Sequence, residues 1–125
     1  AHNFIMLNQF PYNAGHLLIM PLEHKPALHD ISKKARNELI ELTNKSIEIL
    51  KNILKAEGIN VGLNFGKAAG AGIPSHLHLH VLPRWAGDTN FLPTLSDTKQ
   101  IPFDLHDIYK QLKPSFDTIK QDEFL

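Results

Sequence analysis

Two periodicities divide the chain into elements. "NFIMLN" (Asn3 to Asn8) and "HLLIMP" (His16 to Pro21) are apolar runs of strand length, separated by "QFPYNAG", which is rich in turn formers. They predict a β-hairpin with a wide loop. From Asp30 the period lengthens. Ala35, Leu39, Leu42, Ser46, Ile49, Leu50, Ile53 and Leu54 recur at helical spacing, with Asp30 or Ser32 placed to cap the start and Gly58 to end the helix. A short strand is predicted over Ile59–Phe65. A loop of small residues follows from Gly66 to Ser75, in which Gly66, Gly70 and Gly72 permit close backbone approach to a ligand. Period two returns from Ser75 to Pro83, which predicts another strand. Arg84 to Pro102 is loop-like, "FDLHDIYKQLK" (103–113) is a short helix, and the tail from Pro114 has no assigned structure. Strands joined by short links to one long helix predict a single α+β domain over residues 1–125, with an antiparallel sheet. The abrupt opening on a strand leads us to expect that upstream strands are missing.

Composition narrows the class. Thirteen basic and thirteen acidic residues cancel, so no net field attracts nucleic acid or an anionic membrane. The absence of cysteine excludes a disulfide framework and thiolate metal sites. No apolar run approaches the length of a membrane span. The expectation is a soluble, cytoplasmic protein with neither a nucleic-acid nor a membrane partner.

The histidine strand carries the chemistry. In "SHLHLHVLPRW" (Ser75 to Trp85), His76, His78 and His80 share one face, while Leu77, Leu79 and Val81 take the other. A solvated face would normally carry Lys, Glu or Thr. A metal site is the second reading, but His76 and His80 lie about 13 Å apart along a strand. Zinc ligands must each reach within about 2.1 Å of the ion. Two histidines could chelate with help from His16, leaving the third without a role. Nucleophilic catalysis uses all three. A neutral imidazole attacks phosphorus, a neighbour fixes its tautomer, and another imidazole stabilises charge on a non-bridging oxygen. The small-residue loop beside the strand offers backbone N–H groups for phosphate.

"HLHLHVL" resembles the His-x-His-x-His-x-x motif of the histidine triad family of nucleotide hydrolases and transferases. "NQFPYNAGHLLIMPLEH" is similar to that family's hairpin, "GLNFGKAAGAG" to its phosphate loop, and "LPRWAGDTNF" to the extension of its dinucleoside polyphosphate branch. The resemblance covers residues 3–113, leaving 114–125 as a tail. It implies a sheet with the long helix packed across it, doubled into a homodimer. It also implies a role for each matched residue. His78 is the nucleophile that becomes nucleotidyl-histidine, His80 sits at the α-phosphate oxygens, and His76 holds the nucleophile's ring. His16 supports from a neighbouring strand. Asn8 binds the ribose hydroxyls and Asn64 lies near the reacting phosphate; either could instead be a simple turn residue. The family's Gln-Ser or Gln-Thr pair before the triad is replaced by "AGAGIPS", so Ser75 or N–H groups around Gly70 and Gly72 are expected to take its place. His24, His29 and His106 match nothing catalytic and are read as surface residues.

The implied substrate is an adenine dinucleotide polyphosphate or a related phosphoester or phosphoramidate. No cofactor or metal is required for the covalent step, although a divalent cation can accompany the polyphosphate. Water as second acceptor makes the enzyme a hydrolase, and this is the expectation. Phosphate as acceptor would make it a phosphorylase, and a nucleotide-binding regulatory protein with incidental turnover is the alternative of another class.

Overall fold

The computed structural model describes residues 1–88 and 104–119. Four strands form one antiparallel sheet: β1 (Asn3–Leu7), β2 (Leu17–Pro21), β3 (Gly58–Leu63) and β4 (Leu79–Arg84), in the order β1-β2-β4-β3. Helix α1 (Lys33–Leu54) joins the hairpin to β3, and α2 (Leu105–Asp117) closes the described chain. The expected α+β class and antiparallel sheet are therefore observed. The loop expected after Arg84 falls largely outside the described residues, as does the end of the tail.

The sheet has one greasy face because its strands keep the alternation of their sequence. Leu17 and Ile19 on β2, and Leu79 and Val81 on β4, are buried against Leu39, Leu42 and Leu50 of α1 and Ile108 and Leu112 of α2. Full burial of each such side chain contributes about 1.5–3 kcal/mol. Leu77 belongs with Ile31 and Ala35 in a smaller cluster at the start of α1. Ser46 lies on the buried face of α1 without an orphaned hydroxyl, since its Oγ donates to the Leu42 carbonyl at 2.7 Å.

Element boundaries differ from the sequence pattern where distant residues intervene. Ser32 is the N-cap of α1, its hydroxyl accepting from the Ala35 N–H at 3.1 Å. The helix ends not at Gly58 but at Lys55, which adopts a left-handed conformation (φ 55°), while Gly58 opens β3. The Trp85 indole N–H donates to the carbonyls of Leu54 (3.3 Å) and Lys55 (3.0 Å), satisfying acceptors that the helix end leaves open. α2 runs through Pro114 to Asp117 rather than stopping at Lys113. Asp104 caps its start, and Phe116 packs against the core, which outweighs the hydrogen bond that proline removes. β4 starts at Leu79 rather than Ser75, because its ladders with β2 and β3 both end at Leu79. Only His80 of the triad is therefore in the sheet.

Gly15, between the β1–β2 loop and β2, has φ +76°, and a Cβ there would lie 2.5 Å from Leu54 Cδ1. Left-handed backbone and core overpacking both oppose a side chain at this position. Gly15→Ala is expected to destabilise the fold by about 2–4 kcal/mol. Urea denaturation would measure it, and an unchanged midpoint would mean that the loop relaxes without cost.

Candidate active site

Register puts His80 at the centre of the polar face. It lies directly opposite Leu18 of β2 on one side and Gly62 of β3 on the other. Gly62 has no side chain to cover it, and a cavity of about 220 Å³ opens there, lined by Tyr12, His16, Gly62, Asn64 and His80 among others. His16 and His80 form a direct pair, His16 Nε2 to His80 Nδ1 at 2.8 Å. The His78 ring stands edge-on to that of His80 with centroids 5.0 Å apart.

The partners of each ring fix its proton. The backbone N–H of Tyr12 donates to His16 Nδ1 at 3.1 Å, and the Asn8 side-chain nitrogen is 3.4 Å from the same atom. A backbone amide is always a donor, so His16 Nδ1 carries a lone pair and Nε2 carries the hydrogen. His16 then donates to His80 Nδ1, which places the His80 hydrogen on Nε2. That atom is buried and has no hydrogen-bond partner among the described residues. A buried donor without an acceptor is costly. Burial, and secondarily the charge of His78, lower the His80 pKa below the ordinary 6.5, so the neutral ring is the stable form.

His78 is resolved in the same way. Its Nδ1 is 2.8 Å from the His76 carbonyl, an obligate acceptor, so in the neutral ring Nδ1 carries the hydrogen and Nε2 the lone pair. His78 is buried, only 6% exposed. His76 thus holds the nucleophile candidate through its backbone. Its own ring turns away, with Nε2 donating to the Pro21 carbonyl at 2.9 Å.

The remaining expected residues divide. Asn64 lines the cavity with His80. Asn8 touches His16 while its side-chain oxygen accepts from the Phe10 N–H at 2.9 Å, so it also shapes the turn. Gly70 and Gly72 lie in the exposed loop and do not line the cavity, and the Gly70 N–H donates to the Lys67 carbonyl at 2.9 Å. Ser75 pairs through Oγ with His24 Nε2 at 3.2 Å. His24 is exposed, yet its ring lies 4.6 Å from that of His76, so it adjoins the site as more than a lone surface residue. Tyr12, also missed, packs its ring 4.9 Å from His16. Tyr12 also stacks on His80 with centroids 6.1 Å apart, and neither the His24–His76 nor the Tyr12–His80 contact leaves a signal in sequence, because each joins a loop to the triad across the fold. Among the described residues no three His, Asp or Glu side chains converge as a metal set, and no helix is long and apolar enough to cross a membrane.

Comparison with known proteins places this geometry. The HIT domain family matches residues 1–87. The chain belongs to the HIT family. An AP-4-A phosphorylase of Mycobacterium tuberculosis is 41% identical to this HIT protein over 109 residues, covering 87% of this chain and 56% of that one. An asymmetrical bis(5'-nucleosyl)-tetraphosphatase of Schizosaccharomyces pombe is 29% identical over 82 residues, covering 66% of this chain and 44% of that one. The chain therefore spans about half the length of these relatives. Among solved structures, a zinc-bound histidine triad family protein of Mycobacterium smegmatis superposes with a TM-score of 0.74 at 25% identity, covering 93% of this chain and 78% of that one.

The lowered His80 pKa gives a pH dependence whose sign is set. Between the lowered native value and 6.5, the unfolded chain binds more protons at this residue than the native one. The stabilisation from neutral His80 is fully present above 6.5 and is lost as pH falls through the native value. Nitrogen-detected NMR is expected to find the His80 ring neutral below pH 6.5, with Nε2 protonated. A ring that titrates at or above 6.5 would contradict the lowered pKa, and a hydrogen on Nδ1 of the neutral ring would contradict the tautomer assignment.

Proposed function

We propose that this HIT protein cleaves dinucleoside polyphosphates, diadenosine tetraphosphate among them, by two successive nucleotidyl transfers through His78. The observation that carries this reading is the bond from His78 Nδ1 to the His76 carbonyl, which leaves Nε2 as the free nucleophilic lone pair. In the first step Nε2 forms a bond to the α-phosphorus and the bond to the bridging oxygen breaks, its electron pair leaving with ATP. The imidazole becomes cationic as it is phosphorylated, and the Nδ1–H to carbonyl bond strengthens with that charge. His80 Nε2–H, a buried donor without a partner among the described residues, meets a non-bridging oxygen as negative charge develops there. Asn64, lining the cavity, is read as lying near the reacting phosphate, and Asn8 as the ribose contact. Ser75 is read as standing in for the family's absent Gln-Ser pair. In this reading the covalent step needs no metal ion, since the neutral His78 ring attacks through its own lone pair; a divalent cation accompanies the polyphosphate as its counterion. We read the protein as cytoplasmic from its composition, and as a homodimer, as its resemblance to the family implies.

The second acceptor is inorganic phosphate in the reading that the 41%-identical relative favours. Phosphate oxygen attacks the α-phosphorus, the P–N bond breaks, and ADP leaves with His78 restored. Water as acceptor, the expectation from sequence, is the reading favoured by the tetraphosphatase relative. It would release AMP.

Incubation of diadenosine tetraphosphate in millimolar phosphate, with chromatography of the products, tests both steps. ATP plus ADP is the expected outcome, with consumption rising with phosphate. AMP plus ATP with no ADP would rule out phosphorolysis and leave the hydrolase. His78→Ala is expected to abolish turnover while nucleotide binding persists, because one covalent step is lost and the remaining contacts are kept. Substantial turnover by that variant would remove His78 as nucleophile.

A further inference from the structure

The tautomer of His16 depends on a backbone N–H that belongs to a loop, and a polar clamp at the far end of β4 holds that loop. Arg84, the last residue of β4, grips Asp88 with two bonds, Nε to Oδ2 at 2.6 Å and Nη2 to Oδ1 at 2.8 Å. A third bond, Nη1 to the Asn60 side-chain oxygen at 3.0 Å, ties Arg84 to β3. Asp88 Oδ2 also accepts from the Trp85 N–H at 3.2 Å and from the Asn13 side-chain nitrogen at 3.0 Å. Asn13 donates as well to the Pro83 carbonyl at 3.3 Å. The bidentate Arg84 contact holds the Asp88 carboxyl below its ordinary range, so it stays an acceptor.

Asn13 converts this anchor into loop geometry. Its side-chain oxygen accepts from the Ala14 N–H at 3.0 Å, and its carbonyl accepts from the His16 N–H at 3.2 Å. Residues 13–16 thus form a closed turn with Gly15 at φ +76°. Tyr12, immediately before that turn, has its N–H directed at His16 Nδ1. Without that donor, only the longer 3.4 Å contact from the Asn8 side-chain nitrogen favours this tautomer, and the His16–His80 bond could reverse. His80 Nδ1–H would donate to His16 Nε2, and His80 Nε2 would present a lone pair to the site. A lone pair facing a phosphoryl oxygen repels it, whereas N–H attracts it.

We propose that Arg84, Asp88 and Asn13 are positioning residues that set the direction of hydrogen donation along His16 and His80. Asn13 and Asp88 touch no substrate in this account. They act through the Tyr12 amide, and their effect on turnover rests on the reading of His80 as the phosphoryl donor.

Two variants and two readouts test the clamp. Asn13→Asp keeps an acceptor for the Ala14 N–H but sets like charges against Asp88. Asp88→Asn is nearly isosteric, weakens the Arg84 grip, and serves where Asn13→Asp fails to fold. In either folded variant, nitrogen NMR of the ring is expected to show His16 shifting from Nε2–H alone to a mixture with Nδ1–H. The kcat for diadenosine tetraphosphate is expected to fall about tenfold to a hundredfold, the range for loss of a group that orients a reactive one, while KM changes less than about threefold. The effect should vanish in a His16→Gln background, where no tautomer remains to be set. A folded variant that retains pure Nε2–H on His16 overturns the proposal, whatever its thermal stability. A mixed tautomer with unchanged kcat upholds the clamp and contradicts the reading of His80 as donor.

Discussion

One hydrogen bond governs the site: the 3.1 Å contact from the Tyr12 amide to His16 Nδ1. Imidazoles in a row can share their hydrogens in two directions, and nothing intrinsic to His16 or His80 chooses between them. An amide chooses, because it cannot accept. It sends the His16 hydrogen to His80 and leaves the buried His80 Nε2 hydrogen without a partner among the described residues. His78 is set by the complementary device, a carbonyl that cannot donate. In the neutral rings, backbone groups of opposite character thus give one imidazole an Nε2–H donor and its neighbour an Nε2 lone pair.

The fold supplies the placement that these bonds require. α1 and α2 cover one face of the sheet, and burial of Leu79 and Val81 on that face pins the register of β4. A slip of one residue would turn His80 into the core. The same register sets Gly62 beside His80, so the edge strand β3 leaves room where a larger residue would close the cavity. The stability of the hydrophobic face and the chemistry of the polar face are therefore set by one alternation.

Much of this was legible in local pattern. The buried face of α1 was, because Ala35, Leu39, Leu42, Ser46 and Leu50 repeat every three or four residues. So was the split of Leu77, Leu79 and Val81 from His76, His78 and His80. What escaped depends on contacts across the chain. Trp85 reaches the end of α1 from thirty residues away, which no reading of Gly58 could anticipate. Phe116 keeps α2 helical beyond Pro114 through tertiary packing. His24 and Tyr12 carry no periodicity, and only the folding of their loops onto the triad reveals them. The extended run from Ser75 to His78 reads as strand, but the ladders end at Leu79. His76 and His78 direct their rings to backbone carbonyls there.

The central claim is that His78 reacts through Nε2 because its Nδ1 hydrogen is held by the His76 carbonyl. The direct measurement is rapid quenching of the enzyme with diadenosine tetraphosphate, followed by alkaline peptide mapping and phosphorus NMR of the adduct. The expected result is a single nucleotidyl group on His78, bonded through Nε2. A group bonded through Nδ1, or carried by any other residue, would contradict the account.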